Sequence, residues 1–234
     1  MTENITLVNS KWTGEAIEHQ YGVQDYEVVY PPVTNPLNKT LWELRQEGFV
    51  LITRIDPFKR IEQAIETIKC IRNRGFDVSL HIAGRRDDPR YFEQIKRICD
   101  ENSPWLFMHG LLSREDLFDL MDLYKYGINA ALDEPFGIAV AEMVKAGCMV
   151  FVPNAGGQTE IVDAPELVYD HFEDAVDKIT CVLNDEALQR TLLGQLQTQG
   201  RIFSTESFCR RIQGVVNDYF EHTPTFKPSP SCQV

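Results

Sequence analysis

Basic residues are scarce in this chain: 23 Lys and Arg stand against 35 Asp and Glu, a formal charge of −12 over 234 residues. A general nucleic-acid binder presents a basic face, so nucleic acid is not an expected partner. Any phosphate site must be a local positive pocket on an acidic protein. Long apolar runs are missing as well. None approaches the length that spans a bilayer, and no secretory leader heads the sequence, so we expect no membrane span and a cytoplasmic location. The six cysteines (Cys70, Cys99, Cys148, Cys181, Cys209 and Cys232) form no C-x-x-C pair. Most lie in apolar stretches, where a free thiol behaves as a small hydrophobe. Reduced, buried cysteines are therefore expected, not disulfides or a zinc cluster. No cluster of His, Cys and Asp has ligand spacing, so no metal is expected. No G-x-G-x-x-G follows the first strand of the main alternating region, which disfavours an NAD-dependent dehydrogenase.

What is present is a sizeable apolar fraction, 43%, beside 25% charged residues, enough for a globular core. Strand-like runs at 5–8 and 26–29 flank a helical stretch near 12–20. A proline-punctuated connector follows, Tyr30-Pro31-Pro32-Val33-Thr34-Asn35-Pro36, which cannot be helix. From Phe49 onward strands and helices alternate. Strands are predicted at 49–52, 78–83, 105–109, 126–131 and 149–152, with helices near 60–73, 88–101, 113–124 and 137–147 between them. Phe49-Val50-Leu51-Ile52 is continuously apolar, as in a strand covered on both faces. Ile61, Ala64, Ile65, Ile68 and Ile71 form one helical stripe. Such alternation is the signature of a parallel sheet with right-handed crossovers. Helices near 172–183, 185–199 and 204–221 close the chain, and a tail from His222 with three prolines reads as disordered. The expected fold is α/β: a Rossmann-like parallel sheet with helices on both faces. It occupies about 37–200, with an arm at 1–36, a C-terminal helix at 201–221 and a tail at 222–234.

Open parallel sheets place ligands at the carboxyl edge of their strands, and several candidate residues fall there. Arg54 and Lys59 follow the first strand of the sheet, beside a helix start suited to a diphosphate. Glu134 precedes Pro135 and is held extended, while Phe136, Gly137 and Ile138 open a helix whose first amides lack internal partners. Glu142 lies a turn further on, at the edge of a stripe formed by Ile138, Ala139, Met143 and Ala146, placed to accept hydrogen bonds from a ribose diol. Gly156 and Gly157 follow a buried strand and permit close approach of a ligand. Arg85 and Arg86 lie in a further crevice loop, and His81 and His109 read as core histidines in strands. Taken singly, each of these residues has an ordinary reading as loop charge, helix-start carboxylate or tight-turn glycine.

In combination they resemble the donor-binding, C-terminal half of a retaining GT-B glycosyltransferase of the large family-four group. The shared pattern is a strand with an R-x-x-x-x-K turn (Arg54, Lys59), E-P-F-G with a second glutamate (Glu134, Glu142), then a strand and G-G-x-x-E-I-V from Gly156 to Val162. The resemblance runs from about Asn9 to Phe220. It implies transfer of a sugar from a UDP- or GDP-linked donor to an acceptor, with retention and with neither a metal nor a cofactor. Arg54 and Lys59 would hold the diphosphate and stabilise the leaving nucleotide, Glu142 the ribose, and Glu134 with the backbone of Phe136, Gly137 and Ile138 the sugar. Arg54, Lys59 and Glu134 are thus the expected catalytic groups, and Gly156 and Gly157 join the donor-binding set. The base would be read through the backbone near 109–112. Three departures stand out. The family's acceptor-binding first domain is almost wholly absent, the stretch from Asp163 to Tyr169 is short, and Met149 replaces a common proline. A protein partner or a homo-oligomer supplying the acceptor side is therefore expected. The alternative is a non-catalytic module that binds nucleotide sugars.

Overall fold

The structure is a computed structural model, and it describes residues 5–34 and 40–222. A small parallel pair comes first: β1 (Thr6–Val8), α1 (Lys11–Tyr21) and β2 (Tyr26–Val28). The main unit then alternates β3 (Gln46–Ile52), α2 (Ile61–Asn73), β4 (Ser79–Ala83), α3 (Pro89–Glu101), β5 (Leu106–Gly110), α4 (Arg114–Leu123), β6 (Tyr124–Ile128), α5 (Ile138–Lys145) and β7 (Met149–Pro153). The short helix α6 (Thr159–Val162), the two-residue strand β8 (Val168–Tyr169) and α7 (Phe172–Asn184), α8 (Glu186–Ile202) and α9 (Thr205–His222) complete it. The residues of the proline-rich tail lie outside those described, apart from His222 at the end of α9.

Six strands form one sheet in the order β5-β4-β3-β6-β7-β8, every pair parallel. The chain thus winds outward from β3 in one direction, returns, and winds outward from β6 in the other. The two halves meet between β3 and β6, and there the crossovers diverge and leave a crevice at the carboxyl ends. Phe49, Val50, Leu51, Val150, Phe151 and Val152 are fully buried, as strands covered on both faces require. Helix starts are set locally. Asp88 caps α3 ahead of Pro89, Ser113 accepts from Asp116 N at the start of α4, and Asp185 caps α8.

Three details depart from the sequence expectation. The strand expected at 126–131 ends at Ile128, because side chains close the turn beyond it. Asn129 Nδ2 donates to Gln158 Oε1 at 2.7 Å, Ala131 N donates to Asn129 Oδ1, and Gln158 Nε2 donates to the carbonyls of Ala131 and Ala155. Side-chain bonding of this kind takes backbone groups away from a ladder. Conversely, Val168 and Tyr169 form a sixth strand, paired through Val152 N to Leu167 O and Asn154 N to Tyr169 O. The thiols also differ: Cys99 and Cys148 are buried and Cys70 half-buried, but Cys181 and Cys209 are exposed.

Candidate functional site

A cleft of about 620 Å³ opens at the point where the two halves of the sheet diverge. Its walls carry Arg54, Lys59, Glu134, Phe136, Gly137, Ile138 and Glu142. The cationic and acidic candidates, far apart in sequence, therefore share one cavity.

Arg54 lies just beyond β3 on the rim, its side chain more than half exposed. It pairs with Asp87 at 3.2 Å and more loosely with Asp56 at 3.8 Å. Asp87 also receives Arg85 Nε at 2.5 Å. The hydrogen bond from Arg85, with a further contribution from Arg54, holds the Asp87 carboxyl below its usual range. Lys59 does not begin the following helix, as the sequence suggests. It ends a short 3-10 turn, Pro57–Lys59, capped by Asp56, and Arg60 at φ 52° separates that turn from α2. The turn aims Lys59 across the cleft, where Nζ stands 2.6 Å from Glu134 Oε2.

Glu134 owes its position to the loop around it. Gly157 N donates to the Glu134 carbonyl at 2.8 Å. Ser10 Oγ donates to the Pro135 carbonyl at 2.5 Å and Thr13 Oγ1 at 3.2 Å. Gly156 and Gly157 do not line the cleft; they pack behind this loop. A Cβ on Gly156 would stand 2.4 Å from the Glu134 carbonyl oxygen, and one on Gly157 would stand 2.4 Å from that of Pro135. The glycine pair serves close backbone packing behind the loop. Gly137, at φ 100°, turns the chain into α5.

The burial of α5 also differs from the expected stripe. Ile138 is 54% exposed, while Val140, Ala141, Glu142, Met143 and Val144 are buried. Glu142 is consequently inside the apolar face, not at its edge. Arg114, the first residue of α4, meets it with Nη2 3.2 Å from Oε1. Burial raises the Glu142 pKa, and Arg114 opposes that rise. Sequence reasoning passed over Arg114: the Ser113 cap locates a helix start, but nothing local ties its first residue to α5. It also missed the part played by Glu160, whose carboxylate accepts from Lys11 N at 3.0 Å, Trp12 N at 2.9 Å and Tyr30 Oη at 2.8 Å. Glu160 thus satisfies the start of α1 and ties the arm to the main unit.

His81 and His109 lie outside the cleft walls and touch each other, Nδ1 to Nε2 at 3.0 Å. His81 also stacks on Tyr124 at 4.0 Å, and burial, then His109, pulls its pKa down to about 4. A larger hollow of about 710 Å³ lies between α5 and α8. Arg45 on its wall is engaged by Asp122 and by the carbonyls of Met121, Tyr124 and Ala146. Lys145 there donates to the Val33 carbonyl.

The fold is a doubly wound parallel α/β sheet with a charged cleft at its switch point, the place where such sheets receive ligands. The family described as glycosyl transferases group 1 matches residues 36–195, and the chain belongs to it. The GDP-Man:Man(3)GlcNAc(2)-PP-Dol alpha-1,2-mannosyltransferase of Candida glabrata is 30% identical over 172 residues, covering 66% of this chain and 34% of the relative. The serotype-specific mannosyltransferase WbdA of Escherichia coli is 23% identical, covering 71% and 21%. A crystal structure of a glycosyltransferase from Rickettsia africae superposes with a TM-score of 0.78 at 16% identity, covering 93% of this chain and 64% of that one. The chain therefore spans about a third of the first curated relative and about a fifth of the second. It shares the parallel sheet with helices on both sides of GT-B glycosyltransferase structures. Among the described residues, no helix is long and apolar enough to cross a membrane.

Proposed function

We propose that this chain binds a nucleotide-diphosphate sugar across the β3–β6 cleft and supplies the donor half of a retaining, metal-independent sugar transfer. The observation that carries the reading is the convergence of Arg54, Lys59, Glu134 and Glu142 on one cavity. Arg54 and Lys59 are the cations for the diphosphate, with arginine suited to two-point contact and lysine acting as a mobile point charge. As the bond between the anomeric carbon and the β-phosphate oxygen breaks, that oxygen takes the electron pair. The two cations stabilise the charge where it develops. The acceptor hydroxyl bonds to the same face of the sugar and its proton passes to the departing phosphate. Glu142 receives the ribose hydroxyls, while Glu134 and the amides of Phe136, Gly137 and Ile138 hold the sugar. The GDP-Man in the name of the Candida glabrata relative favours GDP-mannose as donor over a UDP-sugar.

The acceptor side belongs, on this reading, to a further domain, a partner protein or a second copy. The arm offers a surface for it: Ile5, Leu7 and Tyr21 are exposed, although Trp12 is half-buried. The partial coverage of longer relatives also favours a second reading, a module that binds nucleotide sugars without transferring them. Thermal-shift and calorimetric titration with GDP-mannose, UDP-glucose and the free diphosphates tests the binding claim. Saturable binding of GDP-mannose without added metal is expected, and no binding by any of these ligands refutes the proposal. Sugar transfer or donor hydrolysis by the isolated chain decides against the module.

A further inference from the structure

We propose that Ser10 and Thr13, at the start of α1, are positioning residues for the sugar subsite: their hydroxyls hold the Pro135 carbonyl and thereby aim the Phe136 amide. The inference rests on the reading of the cleft given above. Ser10 is fully buried and caps α1, its Oγ accepting from Thr13 N at 3.0 Å. A cap uses only the lone pairs of the oxygen, so the hydroxyl proton is left for another acceptor. Of the acceptors near it, the Pro135 carbonyl at 2.5 Å is closer than Thr13 Oγ1 at 2.9 Å, and lies 125 residues further along the chain. The Thr13 hydroxyl stands 3.2 Å from the same carbonyl and 2.7 Å from Asn9 Oδ1. Asn9 itself lines the cleft, as does Pro31.

Peptide geometry turns that grip into an orientation. Pro135 has no N–H, so the next donor along the loop is the amide of Phe136. A peptide unit is planar and trans, and its C=O and N–H point opposite ways. Drawing the Pro135 oxygen into α1 therefore sends the Phe136 N–H away from α1, and a sugar hydroxyl of the donor is its acceptor on this reading. The Phe136 ring is held as well. It packs against Tyr30 at 5.9 Å and Phe203 at 5.5 Å, and Tyr30 Oη donates to Glu160. Gly157 leaves the room this requires, since a Cβ there would stand 2.7 Å from Ser10 Cβ. The rest of the cleft has other anchors. Glu134 is held at its carbonyl by Gly157 N at 2.8 Å. Arg54 pairs with Asp87, and Lys59 is carried by the turn that Asp56 caps. The arm thus bears on the sugar more than on the diphosphate, which gives the assignment a signature in binding.

The test is calorimetry of GDP-mannose against GDP, and of UDP-glucose against UDP. Wild type, Ser10→Ala, Thr13→Val and the double variant are compared as full chains, with melting curves for each. The nucleoside diphosphate is common to each pair, so a change in the affinity ratio between wild type and variant isolates the sugar. In Ser10→Ala the nucleotide sugar should weaken about 3- to 10-fold more than its diphosphate, as expected for one neutral hydrogen bond. Thr13→Val removes the second hydroxyl and keeps the capped backbone amide, and it should shift the ratio about threefold in the same sense. The double variant should lose at least as much as Ser10→Ala. A merely structural role would lower the melting temperature and weaken both ligands by the same factor. A ratio within about twofold of wild type in Ser10→Ala, or in Thr13→Val should Ser10→Ala fail to fold, overturns the assignment while wild-type binding leaves the cleft reading intact. If wild type binds none of the four ligands, both fall together.

Discussion

Replacing Lys59 by alanine perturbs the cleft at its narrowest charged contact. Nζ lies 2.6 Å from Glu134 Oε2, with side chains 16% and 20% exposed. In the empty protein this pair is partly hydrated, so its loss should lower stability by only about 1 kcal/mol. With a donor bound, the ammonium would also meet a diphosphate. A hydrogen bond to a charged group contributes about 1.5–3 kcal/mol, which corresponds to roughly a 10- to 150-fold weaker Kd. Repulsion between the bereft Glu134 carboxylate and the diphosphate adds to that loss. Titration calorimetry with GDP-mannose gives the affinity, and urea unfolding gives the stability. The double variant Lys59→Ala, Glu134→Ala separates the two routes. If lysine touches the diphosphate, the double variant binds more weakly than Glu134→Ala alone; if lysine acts only by holding Glu134, the two bind alike. A Lys59→Ala protein that melts earlier yet binds nucleotide sugars within about twofold of wild type would refute the role assigned to Lys59.

Arg54→Ala should weaken nucleotide-sugar binding by about 1.5–3 kcal/mol with little change in melting temperature, since its partner Asp87 keeps Arg85; unchanged affinity by calorimetry would remove Arg54 from the site. Glu160→Ala leaves two helix-start amides and the Tyr30 hydroxyl without their acceptor. It should cost about 2 kcal/mol of stability and speed limited proteolysis in the arm, whereas an unchanged cleavage pattern would argue that other contacts hold it. His81 makes stability depend on pH with a definite sign. Its folded pKa of about 4 lies below the ordinary 6.5, so its contribution is complete above about 6.5 and is lost as pH falls towards about 4. The full difference corresponds to about 3 kcal/mol, reduced to about 2 by the water that still reaches the pair. Urea unfolding over that range should show the loss in wild type and a flatter profile in His81→Leu.

The parallel sheet was readable because strands buried on both faces must be continuously apolar, as Phe49 to Ile52 and Met149 to Val152 are. The places where the reading slipped are those where side chains decide the backbone. Ala130 and Ala131 look like strand and are buried, but Asn129 and Gln158 take the hydrogen bonds that a strand would use. Val168-Tyr169 is too short to show a period, so its pairing to β7 left no trace in the sequence. Residues of the cleft were legible as far as the chain direction fixes them: Arg54, Lys59, Glu134 and Glu142 all follow from strand ends and helix starts. Their partners were not. That Gly157 packs on Pro135, or that Arg114 reaches Glu142, depends on how separate elements are set against one another. Glu142 itself shows the limit. Which face of α5 is buried follows from the helix packed on its far side, α8, and not from the eight residues of α5.

The loop from Glu134 to Gly137 has a polarity that follows from what grips it. Its two carbonyls at Glu134 and Pro135 point backwards into Gly157, Ser10 and Thr13. Its forward side presents the opening N–H groups of α5, which a helix leaves without internal partners. Anything entering there meets a row of hydrogen-bond donors beside the carboxylate of Glu134, itself held by Lys59, and oxygen-rich visitors are suited to such a socket.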